Sequence, residues 1–289
     1  DYVVRMEKLE IGSVNRSREE ALFYGGKGIN VSTVLKNLGV DSVALGFVAG
    51  FTGKAIEEGV AALGVKADFI TVSDGVSRIN VKLKAGEETE INGKGPNISD
   101  AELEELYKKL DGLTDGDCLV LAGAIPPSLP SDVYEKIMAR LAGKKVDIVV
   151  DATKDLLLNV LKYHPFLIKP NNFELGEMFG VTLHSDEEIE EYAKRLQTLG
   201  ARNVAISMAG DGSMLLTETG ETYRMGVPKG KVVNSVGAGD SMVAGFIASY
   251  FAEHDYKKAL KYGAATGSAT AFSEGLATKD QVEKLLGQF

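Results

Sequence analysis

Residues 117–153 read DCLVLAGAIPPSLPSDVYEKIMARLAGKKVDIVVDAT, a strand, a helix and a second strand in that order. DCLVLAG and VDIVVDAT are short runs rich in Val, Ile and Leu, the pattern of strands buried on both faces. Between them, PSDVYEKIMARLAGKK carries apolar residues at helical spacing, with Pro and Ser at its start and Gly at its end. Two strands joined through a helix pair in parallel by a right-handed crossover. The alternation continues outward. VDSVALGFVAG (40–50), FLIKPN (166–171) and NVAISMAG (203–210) read as further buried strands, and SDAELEELYKKLDG (99–112) and SDEEIEEYAKRLQTLG (185–200) as helices. The expected class is α/β, a mainly parallel sheet between helical layers. Ligands bind such a sheet at the carboxyl ends of its strands, where AGAIPP, DATKD, KPNNFE and SMAGDG all fall.

Two stretches break this pattern. Residues 2–24 and 78–91 alternate in a strand-like way and lack crossover helices. They are expected to form a small antiparallel flap on a single domain spanning 1–289, with one wet and one dry face. Val3, Leu9, Ile11, Ile79, Val81 and Leu83 are the residues expected on its apolar face or edge. Such a flap suits a lid over a substrate, or a contact with a second copy of the chain; an edge hairpin without function is the simpler alternative.

The bulk numbers narrow the partners. Lysine and arginine number 32 against 41 acids, a formal charge of −9; with no basic run, nucleic acid and anionic membranes are unfavoured. Cys118 is the single cysteine, so no intrachain disulfide can form, and a reducing cytoplasm fits. No apolar run approaches the ~20 residues of a membrane helix. The three histidines show no metal-ligand spacing.

Two glycine clusters, some 200 residues apart, open helices: GGKGINVS (25–32) and NSVGAGDSMVAGF (234–246). Glycines before a helix allow close backbone approach and leave N–H groups at the positive end of the helix dipole, a seat for phosphate. Neither cluster is a P-loop or a G-x-G-x-x-G dinucleotide fingerprint. Asp240 stands at the second cluster, where a carboxylate repels phosphate unless it has a chemical task. The alternative is a plain helix N-cap, a role Asp fills well.

Taken together, GGKGINVSTVLKNLG and NSVGAGDSMVAGF resemble the two signatures of the ribokinase-like (PfkB-type) sugar kinases, and AGAIPPSLP, DATKDLL and IKPNNFELGEMFG are similar to that family in the same order. The likeness runs essentially end to end and is greatest to the phosphosugar branch. It implies a three-layer αβα sandwich with a small antiparallel β lid, ATP and Mg2+ as cofactors, and phosphorylation of a ketohexose phosphate. Fructose 1-phosphate is the expected acceptor, with tagatose 6-phosphate as the alternative and an inactive sugar-phosphate sensor as a more distant one. The apolar face that the flap's alternating strands leave unburied leads to the expectation of a homodimer through the lid. Relatives carry a strand ending in N-P-x-x-D before the point where this sequence opens. Asp1 matches that final Asp, so the sequence is expected to lack a central strand.

Residue roles follow from the resemblance. Asp240 is the expected catalytic base, with the backbone N–H groups of Gly237, Ala238, Gly239 and Asp240 as the anion hole. Asp1, Gly26, Lys27 and Asn30 match positions that hold the sugar and, for Lys27, its existing phosphate; Arg78 matches a lid arginine on the same phosphate. Asn171 and Glu174 match the N-x-x-E motif that organises magnesium through water. Lys169 is placed near the nucleotide phosphates, and Ser207, Gly210 and Gly212 in the nucleotide loop, where Met208 and Ala209 depart from the usual S-L-G. Ala265 is placed beside the adenine, although close helix packing explains the small residues of YGAATGSATAF (262–272) equally well.

Overall fold

The computed structural model describes all of residues 1–289. Its centre is a six-stranded sheet in the order Thr222–Met225, Ser213–Leu216, Asn203–Ser207, Leu167–Ile168, Asp147–Asp151, Cys118–Ala122. The last four are mutually parallel; the first two are an antiparallel extension at one edge. Period-two alternation divides the core. Ile148, Val150, Ile168, Val204 and Ile206 face one helical layer, while Val149, Leu167 and Ala205 face the other. The first layer holds Asp100–Asp111, Val133–Arg140 and Asp186–Leu199; the second holds Lys27–Asn37, Ala238–Glu253 and Tyr256–Ala271. The expected three-layer αβα sandwich is present.

The helix starts follow their sequence signals. Ser99 accepts from the Glu102 N–H while Glu102 reaches back to Ser99, a reciprocal cap, and Ser185 accepts from Glu188. One strand reading needs correction. VDSVALGFVAG is not a single strand: it breaks at Leu45–Gly46 into Val43–Ala44 and Phe47–Ala49, which pair with Lys66–Ala67 and Ile70–Val72 in separate two-stranded sheets. Glycine within an apolar run weakens a strand and lets it bend. Cys118–Ala122 is the edge of the six-stranded sheet, and burial pushes the Cys118 thiol up to about 12, which makes it inert.

The flap is a four-stranded sheet ordered Glu19–Leu22, Tyr2–Arg5, Asn80–Ala85, Glu87–Asn92. It is not wholly antiparallel: the central pair, Tyr2–Arg5 with Asn80–Ala85, runs parallel, because the chain between them returns by way of two helices rather than a hairpin. Residues 6–18 form a loop. The register also revises the expected face. Tyr2, Leu22, Val81 and Ile91 share one row and Val4 and Leu83 the next, whereas Val3 lies on the opposite face beside Lys82. Leu9 and Ile11 belong to the loop. No helix is long and apolar enough to cross a membrane.

Candidate active site

The two glycine clusters meet in space. Gly26, at φ 130°, caps the helix Lys27–Asn37, and Gly237, at φ 79°, caps the helix Ala238–Glu253. Where the helices converge, Asn30 Nδ2 donates to Asp240 Oδ2 at 2.8 Å. Glycine is required at 237: its φ is left-handed, and a Cβ there would lie 2.8 Å from Leu276.

Asp240 is not a helix cap. The cap is Gly237, and Asp240 is the third helical residue, buried, with Asn30 as its one hydrogen-bond partner. Burial raises its carboxyl above the ordinary range; Asn30, Lys27 and Lys169 oppose that rise and the nearby Asp151 adds to it. The Ala238 N–H, expected in the anion hole, donates to the Ser235 carbonyl at 3.2 Å. That leaves the N–H groups of Gly237, Gly239 and Asp240 without a backbone acceptor.

Asp151 is the residue that motif reading passed over. It ends the strand Asp147–Asp151, is buried, and accepts from Lys27 Nζ at 3.2 Å and faces Lys169 Nζ at 3.4 Å. An acid closing the run IVVD was the available signal, since a carboxylate buried there needs partners. For Lys27 burial disfavours the charge, but Asp151, helped by Asp240 and Glu174, more than offsets it, so its ammonium is held above the usual range. Lys169 also approaches the second glycine cluster: a Cβ on Gly239 would sit 3.2 Å from its Nζ.

Beside this cluster, Asn171 and Glu174 form a reciprocal cap at the start of the helix Asn172–Phe179. Each side chain accepts from the other's backbone N–H at 2.8 Å. That uses one carboxylate oxygen of Glu174 and leaves Oε1 unengaged. Lys27 thus pairs with Asp151 and feels the charges of Asp240 and Glu174, although no group of three acids is close enough to chelate an ion directly. This donor set fits a magnesium ion held largely through water.

Asn171 bridges to Ser207 on the next strand, so Lys169, Asn171 and Ser207 fall at one mouth of the sheet. Beyond Ser207 the turn Ala209–Asp211 carries Gly210 at the surface, and Met208 N–H donates to the Gly212 carbonyl. Ala209 takes φ 45°, a left-handed conformation that the glycine of S-L-G adopts without strain. Ala265 is a correction. It has no exposed surface and lies in the hydrophobic core. Gly245, Gly263 and Gly267 are pressed between the helices Ala238–Glu253 and Tyr256–Ala271, so packing explains the small residues there.

A cavity of about 960 Å³ opens beside this cluster, lined by Asp1, Gly26, Lys27 and Arg78 among others. Asn30 and Asp240 are not in its wall; Lys27 connects it to them. The wall also holds Asn80, whose Oδ1 is buried without a partner. Lys82 sits buried in the lid, 2.9 Å from Glu90 and 3.8 Å from Asp1.

Residues 1–283 match the pfkB family carbohydrate kinases. A 1-phosphofructokinase of Bacillus subtilis (strain 168) is 48% identical over 286 residues, covering 99% of this chain and 94% of the relative. A D-tagatose-1-phosphate kinase of Bacillus licheniformis is 38% identical over 289 residues, covering 100% and 94%. A crystal structure from Staphylococcus aureus superposes with a TM-score of 0.88 at 43% identity, covering 100% of this chain and 94% of that one. The sandwich, the lid, the paired glycine clusters and these likenesses agree, and the chain belongs to the pfkB family of carbohydrate kinases.

Proposed function

We infer that the chain transfers the γ-phosphoryl group of ATP to the free primary hydroxyl of a ketohexose phosphate, with fructose 1-phosphate as substrate and fructose 1,6-bisphosphate as product. The observation that carries this reading is Asp240, buried at a glycine-rich helix start with a raised carboxyl and a fixed hydrogen bond from Asn30. Relatives named for phosphorylation of a sugar 1-phosphate point the same way.

In this reading Asp240 takes the proton of the attacking hydroxyl. The sugar oxygen forms a bond to the γ-phosphorus as the bond to the bridging oxygen of ADP breaks. The N–H groups of Gly237, Gly239 and Asp240 face charge on the transferred group. Lys169 neutralises nucleotide phosphate, and Asp151 fixes the positions of Lys27 and Lys169. Glu174, with Asp151, would hold magnesium through water, and the ion would screen the phosphate charge. Arg78 and Lys27 hold the phosphate the sugar already bears, and Asn80 accepts one of its hydroxyls.

The tagatose alternative keeps the same chemistry, with one change: the relative's name puts the phosphate on carbon 1 rather than carbon 6. The exposed row of Leu22 (64%) and Ile91 (57%) supports a homodimer through the lid. A single, half-buried cysteine with no partner for a disulfide suits a cytoplasmic setting. A coupled ADP-release assay across fructose 1-phosphate, tagatose 1-phosphate, tagatose 6-phosphate and fructose 6-phosphate tests the reading. The largest kcat/KM is expected for fructose 1-phosphate; a larger one for either 6-phosphate contradicts it.

A further inference from the structure

Lys94 lines the same cavity as Asp1, Lys27 and Arg78. It stands on the segment Gly93–Lys94–Gly95, which follows the lid strand Glu87–Asn92. The segment is held against the residues that carry the lid arginine. Gly93 N–H donates to the Ile79 carbonyl at 2.9 Å. A Cβ on Gly93 would lie 2.8 Å from that oxygen, and one on Gly95, at φ 82°, would lie 3.6 Å from Arg78 Cβ. Glycine on both sides therefore brings the Lys94 backbone against Arg78, and both side chains reach one wall of the cavity.

Charge pairing separates these two cations from their neighbours. Arg5, Lys8, Arg18, Lys82 and Lys84 of the lid each have a carboxylate partner. Arg78 and Lys94 have none, and Arg16, the remaining unpaired lid cation, does not line the cavity. Lys94 Nζ instead donates to Asn97 Oδ1 at 3.2 Å, and Asn97 Nδ2 donates to Asp74 Oδ2 at 2.7 Å. A neutral amide oxygen positions an ammonium without neutralising it. A phosphate dianion makes a stronger, charge-assisted bond and displaces it. Two like charges on one cavity wall, neither with a carboxylate partner, favour binding of an anion there.

On the reading above, we propose that Lys94 is a further substrate-binding residue: it leaves Asn97 and closes, together with Arg78, on the phosphate that the ketohexose already carries. Its contribution is to the phosphomonoester dianion, so it adds nothing toward the unphosphorylated sugar.

The test uses the full chain with K94A, K94R and N97A, calorimetric binding of fructose 1-phosphate without ATP, and steady-state kinetics with fructose 1-phosphate. K94A is expected to weaken sugar-phosphate binding about tenfold, the scale of one charge-assisted contact, and to raise its KM in step. Turnover and the KM for ATP stay within about twofold, K94R recovers most of the loss, and N97A binds as tightly as the unaltered chain. Unchanged binding in K94A, while the unaltered chain phosphorylates fructose 1-phosphate, overturns the proposal and leaves the functional reading standing. Equal losses in K94A and N97A make the pair a structural brace and also overturn it. An unaltered chain that neither binds nor phosphorylates any ketohexose phosphate overturns the reading itself, and this proposal with it.

Discussion

Asn30 and Asp240, 210 positions apart in the chain, are joined by a 2.8 Å hydrogen bond from the amide of one to the carboxylate of the other. Each belongs to the first turn of a helix opened by a glycine cluster. The bond thus ties the first glycine cluster to the second and fixes one oxygen of the carboxylate. Asn30→Ala removes the strongest influence that holds the Asp240 carboxyl down against burial. The acid limb of the kcat/KM profile should move to higher pH, with turnover falling about tenfold through loss of orientation. An unmoved limb would detach Asn30 from the base.

Lys27→Ala should act on the same limb, because Lys27 also lowers the Asp240 carboxyl and balances Asp151. Arg78→Ala, at the cavity wall and without a carboxylate partner, should instead raise the KM for the sugar phosphate about tenfold to a hundredfold, the equivalent of about 1.5–3 kcal/mol for a charge-assisted contact. Its acid limb and KM for ATP should stay in place. Steady-state kinetics over a pH series separates the two, and identical behaviour of both variants contradicts the assignment.

Gly245→Ala tests the packing behind the site. A Cβ there runs into the Thr266 side chain and lies 3.0 Å from the Tyr262 carbonyl, so the two helices must part. A loss of about 1–3 kcal/mol is expected, the usual scale for overpacking. Chemical denaturation measures it; unchanged stability would mean the helices have room to give.

The lid face predicts assembly. Tyr2, Leu22, Val81 and Ile91 form an apolar row on one side of the four-stranded sheet. Light scattering should give twice the mass of one chain, and the double variant L22D/I91D should give the mass of one. A monomeric unaltered chain at micromolar concentration contradicts a lid-mediated dimer.

The parallel core was legible because strands such as VDIVVDAT and helices such as SDEEIEEYAKRLQTLG carry period, cap and stop in their own residues. The flap was legible as strand but not in its register. Whether Val3 shares a face with Val81 depends on which partner lies opposite, and that is settled by a parallel pairing across some eighty residues. The two glycine clusters were legible as helix starts that converge on one site, yet the place of Asp151 appears only once Lys27 and Lys169 are seen converging on it. Ala265 went the other way: a run of small residues looks alike whether it faces a ligand or a neighbouring helix, and burial decides for the helix.

The central claim is that Asp240 is the base, and its most direct test is Asp240→Asn. The amide retains the shape of the site but cannot accept the hydroxyl proton. Turnover on fructose 1-phosphate should fall about a hundredfold or more, with calorimetric affinities for sugar phosphate and ATP near those of the unaltered chain. The residual rate should lose the acid limb, which lies above the ordinary aspartate range because burial raises that carboxyl. Near-normal turnover in Asp240→Asn, with the acid limb retained, would contradict the account.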